Sequence, residues 1–450
     1  MAVFALVDGN SFYASCQVAF DPSLRQRPVV VLSNNDGCIV AANDRAKGVD
    51  EQLKQAHQTF GQGGYQAARP ESLMYQPYFK VKPFLDDMGA AVFSSNYELY
   101  ADMSNRMHAI LGTFSNRQEI YSIDESFLEL SQVAHLDLTA YGQEIKRTVR
   151  QCLGLPVAVG IAPSRTLAKL ANHLAKKVAG YDGVLDLTVL APTTLEALLE
   201  TVPVDKVWGI GRRLSPQLRE LGVETACDLK RCDVKWVRSR FSVTVARIVR
   251  ELNGESCLDA AEMPDGQRQI ISSRSFGRPL TQLAPMQEAV SSYAARAAEK
   301  LRQQGRVCQA VTVSVRSSPF ASKHAFYQAS HTVPLIYPSD HTVLLVKQAK
   351  RALKRIWRVG VAYQKATVVL SGVAAKGAVQ LDCFAPEPRY SPNERAERLM
   401  AVMDQLNQTW GRGTVQLASA GMQNGQAWRM RRERMSPRYT TRWDELPVVS

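Results

Sequence analysis

The apolar and polar positions around two separated carboxylate sites predict the sheet on which the rest of the chain is built. Residues 2–7, Ala-Val-Phe-Ala-Leu-Val, form a continuous apolar run of strand length that ends at Asp8. Such a run is typical of a central strand that is buried on both faces. Two further runs with strand-like alternation flank the adjacent residues Asp124 and Glu125. This second pattern predicts a β-hairpin with both carboxylates at its turn.

The apolar positions that follow predict helices packed against this sheet. Residues 100–111 have helical spacing, and we expect His108 on this helix to be a surface residue. Residues 156–161 form another buried strand, and Ser164 can cap the helix after it. The apolar stripe of that helix consists of Leu167, Leu170, Leu174 and Val178.

The second half of the chain predicts a helical turn and then a small sheet. Gly209 and Gly211 form a Gly-x-Gly turn between two short helices, followed directly by Arg212 and Arg213. The pattern resembles a helix-hairpin-helix, which binds a DNA phosphate through backbone amides, although an ordinary helical turn is the alternative. Beyond a polar linker the order is strand, helix, strand, strand, helix, strand, which predicts a sheet backed by two helices. Those elements are predicted at residues 272–276, 286–304, 310–316, 330–335, 342–357 and 366–370.

Composition and charge narrow the class of protein. The 450 residues carry a formal net charge of +13, which favours an anionic partner such as nucleic acid over simple solubility. No apolar run approaches the length of a membrane span, and the N-terminus does not resemble a signal peptide. The 8 cysteines include no C-x-x-C pair. We therefore expect free thiols in a cytoplasmic enzyme that has no membrane partner.

The three carboxylates suggest metal chemistry if the two predicted strands pair. Asp8, Asp124 and Glu125 would then meet at one edge of the sheet. Carboxylates so close together repel each other, and a hard divalent cation is the simplest partner that neutralises them. Three carboxylates can hold two Mg²⁺ ions about 3.5–4 Å apart, the arrangement used for in-line phosphoryl transfer. A solvated acidic turn is the alternative.

Four stretches around these carboxylates resemble the Y-family of translesion DNA polymerases. They are residues 8–15, 31–37, 94–104 and 121–125. Within that family the chain resembles the UmuC family, which includes the catalytic subunit of DNA polymerase V and plasmid-borne relatives. The resemblance implies a DNA-directed DNA polymerase that performs error-prone translesion synthesis in the SOS response to DNA damage.

The same resemblance implies an α+β multidomain fold, the right-hand polymerase with palm, small fingers, helix-hairpin-helix thumb and little finger. The palm would comprise residues 1–15 and 90–177, and the fingers 16–89. Residues 48–75 are longer than the family pattern and are interpreted as an atypical insertion. The thumb would span 178–254 and the little finger 269–372. Residues 373–450 would form a C-terminal region that binds the clamp or another partner.

Site residues also follow from the resemblance. Asp8, Asp124 and Glu125 would be catalytic and would hold two Mg²⁺ ions, with the carbonyl of Gly9 as an extra ligand. One ion would activate the primer 3′-hydroxyl and the other would carry the triphosphate. Residues 39–47 match the fingers helix of the family. The implied nucleotide-binding residues are Phe12, Tyr13, Lys47 and Lys176. The implied DNA-binding residues are Gly209, Gly211, Arg212, Arg213, Arg274, Arg278 and Arg316.

Tyr13 has a specific role in this interpretation, since its ring would lie under the sugar of the incoming nucleotide. A 2′-hydroxyl would collide with the ring, and ribonucleotides would be excluded. Considered alone, Phe12 and Tyr13 are two aromatic residues after a strand, which are most often part of a core.

The C-terminal region contains a short motif of its own. Residues 380–384 resemble the peptide that docks on the bacterial sliding clamp, through Gln380, Leu381 and Phe384, with Cys383 in place of the usual Leu. The resemblance further implies primer-template DNA, deoxynucleoside triphosphates, two copies of a processed UmuD-like subunit and RecA as partners. Residues 428–443 mix arginine with aromatic residues, a composition suited to single-stranded DNA or to a protein partner.

Two other classes of function use the same residues. A metal-dependent nuclease could use the three carboxylates, although Tyr13 and the thumb motif argue against it. A scaffold that binds DNA and the clamp without catalysis is the second alternative.

Overall fold

The chain forms two compact units, and the first is assembled from sequence on both sides of the second. The computed structural model describes residues 2–50, 72–257, 268–319, 325–376, 394–411, 413–421, 428 and 430–446. The first unit comprises Met1–Ser33, Gly37–Met263 and Arg434–Ser450. The second unit comprises Asn34–Asp36 and Pro264–Glu433.

The first part of the first unit alternates strands and helices. Its elements are β1 (Phe4–Gly9), α1 (Phe12–Phe20), β2 (Val29–Leu32), β3 (Ile39–Ala42), α2 (Asp44–Lys47), α3 (Tyr78–Asp87), β4 (Ala91–Ser94), α4 (Tyr97–Leu111), β5 (Gln118–Ile120), β6 (Glu125–Glu129), α5 (Leu138–Leu153), β7 (Val157–Ala162), α6 (Arg165–Lys177) and β8 (Val184–Asp186).

The central sheet has the strand order β5-β6-β1-β7-β8, with β1 in the middle as its apolar sequence predicts. Strand β1 is antiparallel to both β6 and β7, and β8 runs parallel to β7. Phe4 and Leu6 belong to the core that contains α6, whereas Val3, Ala5 and Val7 belong to the core that contains α1, α4 and α5. Because both faces of β1 are covered, the strand has no polar residue before Asp8.

A second, smaller sheet has the order β3-β2-β4, with β2 antiparallel to β3 and parallel to β4. The interpretation of residues 39–47 as one helix is wrong. Ile39 to Ala42 pair with β2 as a strand, and only Asp44–Lys47 is helical. The side chain of Asn43 separates the two parts, because its Oδ1 accepts from Ala46 N and starts the short helix.

The structure also differs from the predicted helices in two details. His108 is only 4% exposed, and its Nε2 lies 3.1 Å from the carbonyl oxygen of Ser122, so it is not a surface residue. Helix α6 is capped by Ser164 as predicted, but it ends at Lys177. Val178 lies after that end and is 45% exposed, so it is not part of the apolar stripe.

Short helices follow the central sheet and complete the main core. They are α7 (Pro192–Glu200), α8 (Leu214–Glu220), α9 (Ala226–Arg231), α10 (Val234–Arg240) and α11 (Val243–Leu252), with a 3₁₀ turn at Val204–Lys206 before α8. The chain reverses at Gly209, whose φ of +92° is favourable only for glycine. The predicted helix-hairpin-helix turn therefore lies between the 3₁₀ turn and α8.

The second unit is a four-stranded antiparallel sheet backed by two helices, as the order of its elements predicts. Its order is β11-β10-β12-β9, and a two-residue strand, β13, pairs with one end of β10. Both long helices share a core with Val311, Val313 and Val315 of β10. The elements are β9 (Gln269–Leu280), α12 (Leu283–Gln303), β10 (Arg306–Ser317), β11 (Gln328–Ser339), α13 (Thr342–Ile356), β12 (Tyr363–Ser371), β13 (Ala374–Ala375) and α14 (Glu394–Thr409).

Candidate active site

The pairing of β1 with β6 puts the three acidic residues at neighbouring backbone positions. Asp8 lies directly opposite Glu125 in the register of the two strands. Asp124 occupies the turn of the β5–β6 hairpin, and its carbonyl accepts a hydrogen bond of 2.9 Å from the N–H of Gly9. The hydroxyl of Ser122 donates to Asp124 Oδ1 over 2.6 Å and accepts from the N–H of Glu125. The hairpin turn thus holds both acidic residues beside the end of β1.

Two lysines of helix α6 form ion pairs with this acidic cluster. Lys176 Nζ lies 2.7 Å from Asp8 Oδ1, and Lys169 Nζ lies 2.7 Å from Glu125 Oε1. Lys169 is also held over the rings of Tyr121 and Trp208, at 4.6 and 5.5 Å from their centroids. The two lysines are separated by two turns of the helix and therefore share one face.

The close approach of α6 to β7 depends on Gly160. A Cβ at this position would lie 2.1 Å from the backbone nitrogen of Asn172 and 2.3 Å from the carbonyl oxygen of Ala168. The side-chain amide of Asn172 donates to the carbonyls of Leu6 and Ala158, over 3.1 and 2.7 Å. Helix α6 is therefore fixed directly on β1 and β7, with its lysines above the carboxylates.

The electrostatics of the cluster favour a cation. The pKa of Asp8 is raised to about 6, first because burial disfavours its charged form, and further because Glu125 and Asp124 repel it. The neighbouring ammonium group of Lys176 acts in the opposite direction but does not cancel these effects. Burial and mutual repulsion therefore disfavour full ionisation of these carboxyl groups.

A group of stacked tyrosines adjoins the carboxylates. The ring of Tyr13 stacks on Tyr100 with centroids 4.4 Å apart and planes at 12°, and it meets Tyr97 edge-on at 6.1 Å. Tyr100 is fully buried, and its hydroxyl accepts from Gln17 Nε2 at 2.9 Å. Burial and the nearby charge of Asp124 raise the pKa of Tyr13 to about 12, so its hydroxyl stays neutral. Tyr13 is thus a rigid, half-buried ring rather than a general base.

The other nucleotide-binding candidates differ in exposure. Phe12 is buried in the core beneath Gly9, so its side chain does not face solvent. Lys47 Nζ lies 3.2 Å from the hydroxyl of Ser11 and 2.9 Å from Asp44 Oδ1. Since Ser11 precedes α1, the ammonium group of Lys47 lies beside the start of the helix that carries Tyr13.

The predicted DNA-binding residues fall into two groups, one in each unit. In the first unit, Arg212 and Arg213 are exposed just after the Gly209 turn. In the second unit, Arg274, Arg278 and Arg316 are all exposed.

The pairing of the strands puts Arg274 and Arg316 on different faces of the sheet in the second unit. Arg274 pairs with Ala366, whose side chain is buried with the helices. Arg316 instead pairs with Lys365, on the face opposite Val315. Burial and the neighbouring charge of Arg316 lower the pKa of Lys365. Two like charges directly opposite each other disfavour the isolated sheet and favour an anion at this place.

Sequence reasoning missed several residues of the site. Lys169 could have been found from its seven-residue separation from Lys176, which is two helical turns. Ser122, Tyr100 and Lys365 could not have been found in this way, because their roles depend on a turn and on pairings between distant segments. Residues 380–384, the predicted clamp motif, lie outside the described residues, as does most of the atypical stretch 48–75.

The residue types suit a divalent cation. Among the described residues, no three His, Cys, Asp or Glu side chains already converge in a metal-binding arrangement. The donors present are nevertheless all oxygens, which hard cations prefer, and their mutual repulsion raises the pKa of Asp8. The ammonium groups of Lys176 and Lys169 contact one oxygen each of Asp8 and Glu125.

Comparison with solved structures defines the fold class of this protein. A solved Y-family DNA polymerase chimera matches 83% of this chain and 99% of its own length, with a TM-score of 0.60 at 18% identity. The match, together with a helix-hairpin-helix motif at residues 192–223, confirms the predicted right-hand polymerase fold. None of the described helices combines the length and apolar character of a bilayer-spanning segment.

The sequence then defines the family. Residues 7–173 match the impB/mucB/samB family, and residues 267–383 match the C-terminal domain of the same family. Protein UmuC of Salmonella typhimurium is 44% identical over 446 residues, covering 99% of both chains. Protein MucB of Escherichia coli is 40% identical over 451 residues, covering 100% of both chains. This chain belongs to the impB/mucB/samB family, as the resemblance predicted. Residues 397–449 match a domain of unknown function.

Proposed function

We propose that this protein is a DNA-directed DNA polymerase that performs translesion synthesis in the SOS response. The observation that carries the proposal is the register of β1 and β6, which sets Asp8 opposite Glu125 with Asp124 in the adjoining turn. Relatives named UmuC and DNA polymerase IV support the same activity. A nuclease is less well supported, because it has no need of a gate for the nucleotide sugar, a role that the rigid, stacked ring of Tyr13 suits.

Asp8, Asp124 and Glu125 would hold two Mg²⁺ ions, with the carbonyl of Gly9 as a further ligand. Divalent-metal dependence is general among Y-family DNA polymerases. When bound, the ions would supply the positive charge needed to ionise the primer 3′-hydroxyl and to offset charge on the triphosphate.

The chain's own cations and aromatic residues would position the nucleotide. Lys176, which lies beside Asp8, can offer its ammonium group to a phosphate that enters next to that carboxylate. Lys169, also on α6, pairs with Glu125, and Lys47 on α2 lies beside Ser11, just before α1. Tyr13, fixed by its stack on Tyr100, would meet the sugar and exclude a 2′-hydroxyl. Since Phe12 is buried, its contribution would come from its backbone.

Both units contain features suited to DNA phosphates. In the first unit, the Gly209 and Gly211 turn followed by Arg212 and Arg213 would contact the backbone of the duplex. In the second unit, Arg316 and Lys365 lie on the sheet face opposite the helix-packed valines, where the neighbouring residues Ser314 and Thr367 are small and polar. We also propose Arg274 and Arg278 as phosphate contacts.

We also propose limits for the domains and partners for the chain. The predicted palm boundary at residue 177 precedes β8, which completes the central sheet, so we propose to extend the palm to Asp186. We propose the other domain limits as the sequence predicts them. We propose a cytoplasmic enzyme whose partners are primer-template DNA, deoxynucleoside triphosphates, a sliding clamp bound through residues 380–384, a processed UmuD-like dimer and RecA.

Primer extension tests this function against its alternatives. The purified chain, Mg²⁺, a clamp and a primed template would be incubated with deoxynucleoside triphosphates, with the Asp124→Asn variant as control. Extension by the parent and none by the variant is the expected result. Shortening of the primer would indicate a nuclease. DNA binding without either reaction would indicate a scaffold.

A further inference from the structure

A C-terminal segment packs beside the tyrosines of the site, although it lies in the domain of unknown function. We call residues 434–445 the strap. The strap joins the first unit by a parallel bridge between Met435 and Ser94, the last residue of β4. The N–H of Ser94 donates to the carbonyl of Arg434 over 2.9 Å, and the N–H of Arg434 donates to the hydroxyl of Ser94 over 3.0 Å. The strap therefore continues the edge of the small sheet.

Asn96, which caps helix α4, is the main polar link between the strap and the site. Its amide nitrogen donates to the carbonyl oxygens of Ser436 and Pro437, at 3.0 and 3.1 Å, and approaches the Ser436 hydroxyl at 3.1 Å. Its Oδ1 accepts from the N–H of Leu99 over 3.3 Å. Asn96 is only 1% exposed, so neither end of its amide can turn to solvent. The strap thereby fixes the orientation in which Asn96 caps the helix.

A second contact joins the strap to helix α1. Tyr439 stacks on Phe20, the last residue of α1, with centroids 4.9 Å apart and planes at 15°. The strap consequently touches both helices that carry the stacked tyrosines, since Tyr13 is on α1 and Tyr100 is on α4. The N–H of Tyr100 also bonds to the carbonyl of Asn96 over 3.0 Å.

The arginines Arg438 and Arg442 of the strap form ion pairs within the protein. Arg438 forms a bidentate pair with Glu445, and its Nη1 lies 3.4 Å from Glu98 Oε2. Arg442 lies 3.5 Å from Asp444 Oδ1. These pairs fold the strap back on itself and anchor it to the first turn of α4. They favour a structural use of the arginines over direct binding of single-stranded DNA.

We propose that the strap is a positioning element for the nucleotide gate, which holds the start of α4 and the end of α1 so that Tyr100 keeps Tyr13 in place. The inference rests on the proposed polymerase function. It assigns a role in sugar selection to part of a domain whose function is unknown. A small displacement of a positioned ring is sufficient for a large loss of selectivity, since misplacement by about 1 Å can cost about 100-fold in rate.

Two substitutions in the full-length protein test the proposal. Asn96→Asp keeps an oxygen for the N–H of Leu99 but replaces the donor to Ser436 and Pro437 by a carboxylate. Tyr439→Ala removes the stack on Phe20. Trp443→Ala is the matched control, because Trp443 is in the strap but is 90% exposed. The first readout is the ratio of kcat/KM for deoxyribonucleotides to that for ribonucleotides.

We expect this ratio to fall about tenfold in Asn96→Asp and in Tyr439→Ala, with a higher KM, and to stay within about twofold of the parent in Trp443→Ala. A ratio unchanged in both test variants would overturn the proposal, as would an equal loss in the control. If Asn96→Asp does not fold, Ser436→Ala, which removes one hydroxyl and keeps the strap carbonyls, provides a milder variant with a smaller expected loss.

Hydrogen exchange separates failure of this proposal from failure of the proposed function. The amides of Leu99 and Tyr100 should exchange about tenfold faster in the two test variants than in the parent or the control. Unchanged exchange would show that the strap does not hold α4, whatever the activity. Absence of primer extension by the parent would instead reject the polymerase assignment, while the exchange measurement would still decide whether the strap holds the helix.

Discussion

The ammonium nitrogen of Lys176 lies 2.7 Å from Oδ1 of Asp8, although Lys176 is in the last turn of a helix and Asp8 is near the end of a strand far away in sequence. The contact exists because α6 packs against β7 without an intervening side chain at Gly160. Asp8 and Lys176 thus meet because the backbones of α6 and β7 approach each other closely. Only glycine at position 160 permits this approach. The charge balance of the site depends on this packing as much as on the charged residues.

Gly160→Ala should therefore destabilise the protein and displace the lysines. The added methyl group would meet the backbone of Asn172, which cannot move as a side chain can. We expect a loss of about 3 kcal/mol in the free energy of unfolding, the upper part of the range for overpacked cores. Gly180→Ala is the matched control, because a Cβ there meets no atom within 4 Å. Denaturant unfolding compares the two; equal stabilities would contradict the packing argument.

Replacing Asp124 by Asn should abolish nucleotide addition while leaving DNA binding nearly intact. The substitution keeps the shape of the hairpin turn but removes a charge beside Asp8 and Glu125. We expect a loss of about 1,000-fold in kcat, equivalent to about 4 kcal/mol. The control is Asp86→Asn, which removes an exposed carboxylate on α3. Single-turnover extension and DNA titration measure the two quantities, and extension near the parent rate would reject Asp124 as a catalytic residue.

The raised pKa of Asp8 predicts release of a proton on binding of Mg²⁺. With a pKa of about 6, Asp8 is half protonated at that pH, whereas a metal binds its ionised form. About half a proton should be released per site near pH 6 and almost none near pH 8, and the apparent pKa should fall as Mg²⁺ is added. Without metal, the raised pKa adds stability below the ordinary value of 3.8 that is lost as the pH rises through about 6.

Calorimetric titration of Mg²⁺ in two buffers with different ionisation enthalpies measures that proton. The Asp8→Asn variant provides the control, since it has no carboxyl group to titrate at this position. Equal proton release by parent and variant would show that another group is responsible.

The sequence predicted the fold well where apolar periodicity is local. The run before Asp8, the stripe of α6 and the alternating order of the second unit each specify an element without reference to other segments. Residues 39–47 were misinterpreted because the resemblance to a fingers helix outweighed the strand-forming Ile39 and Val40, which belong to β3. His108 was misplaced because its burial depends on the carbonyl of Ser122, in a turn that the helix pattern does not contain.

For the candidate site, the neighbouring positions of the three carboxylates were predicted, but the contacts around them were not. Asp8, Asp124 and Glu125 could be grouped from the sequence alone, because both strand patterns lead to carboxylates. The ion pairs of Lys169 and Lys176 depend on how closely a helix packs on a sheet, which the spacing of residues does not reveal. The contacts of Asn96 with Ser436 depend on a return of the chain over 340 residues, beyond any local pattern.

Tyr13→Ala should admit ribonucleotides. The ring stacks on the fully buried Tyr100 and cannot move aside, so its removal opens space that no other described side chain of this stack fills. We expect discrimination against ribonucleotides to fall by about 100-fold, equivalent to about 2.7 kcal/mol. Tyr13→Phe should retain it, because the ring and not the hydroxyl is the obstacle. Equal discrimination by the alanine variant and the parent would make Tyr13 a core residue only.

Removing Arg316 and Lys365 together should flatten the salt dependence of DNA binding. Each lost phosphate contact reduces the slope of log K against log salt concentration by about 0.9, so the double alanine variant should lose about 2. The control removes Lys354 and Arg355, two exposed cations of α13, and changes the net charge equally. Binding isotherms at several salt concentrations compare the variants. Equal slopes for test and control would remove the sheet face from the DNA-binding surface.

The return of the strap to the first unit also sets an order of events during synthesis. Ser436 follows Asn96 by 340 residues, and all of the second unit except Asn34–Asp36 is encoded between them. At about 5–20 residues per second, a ribosome needs roughly 20–70 s to cover that distance. Well before this time has passed, the carboxylates, the lysines and Tyr13 have all been made, while Asn96 still has no strap carbonyl to which it can donate. A chain released just before the strap is made would thus carry every catalytic carboxylate, while the start of α4 would lack the segment that holds it.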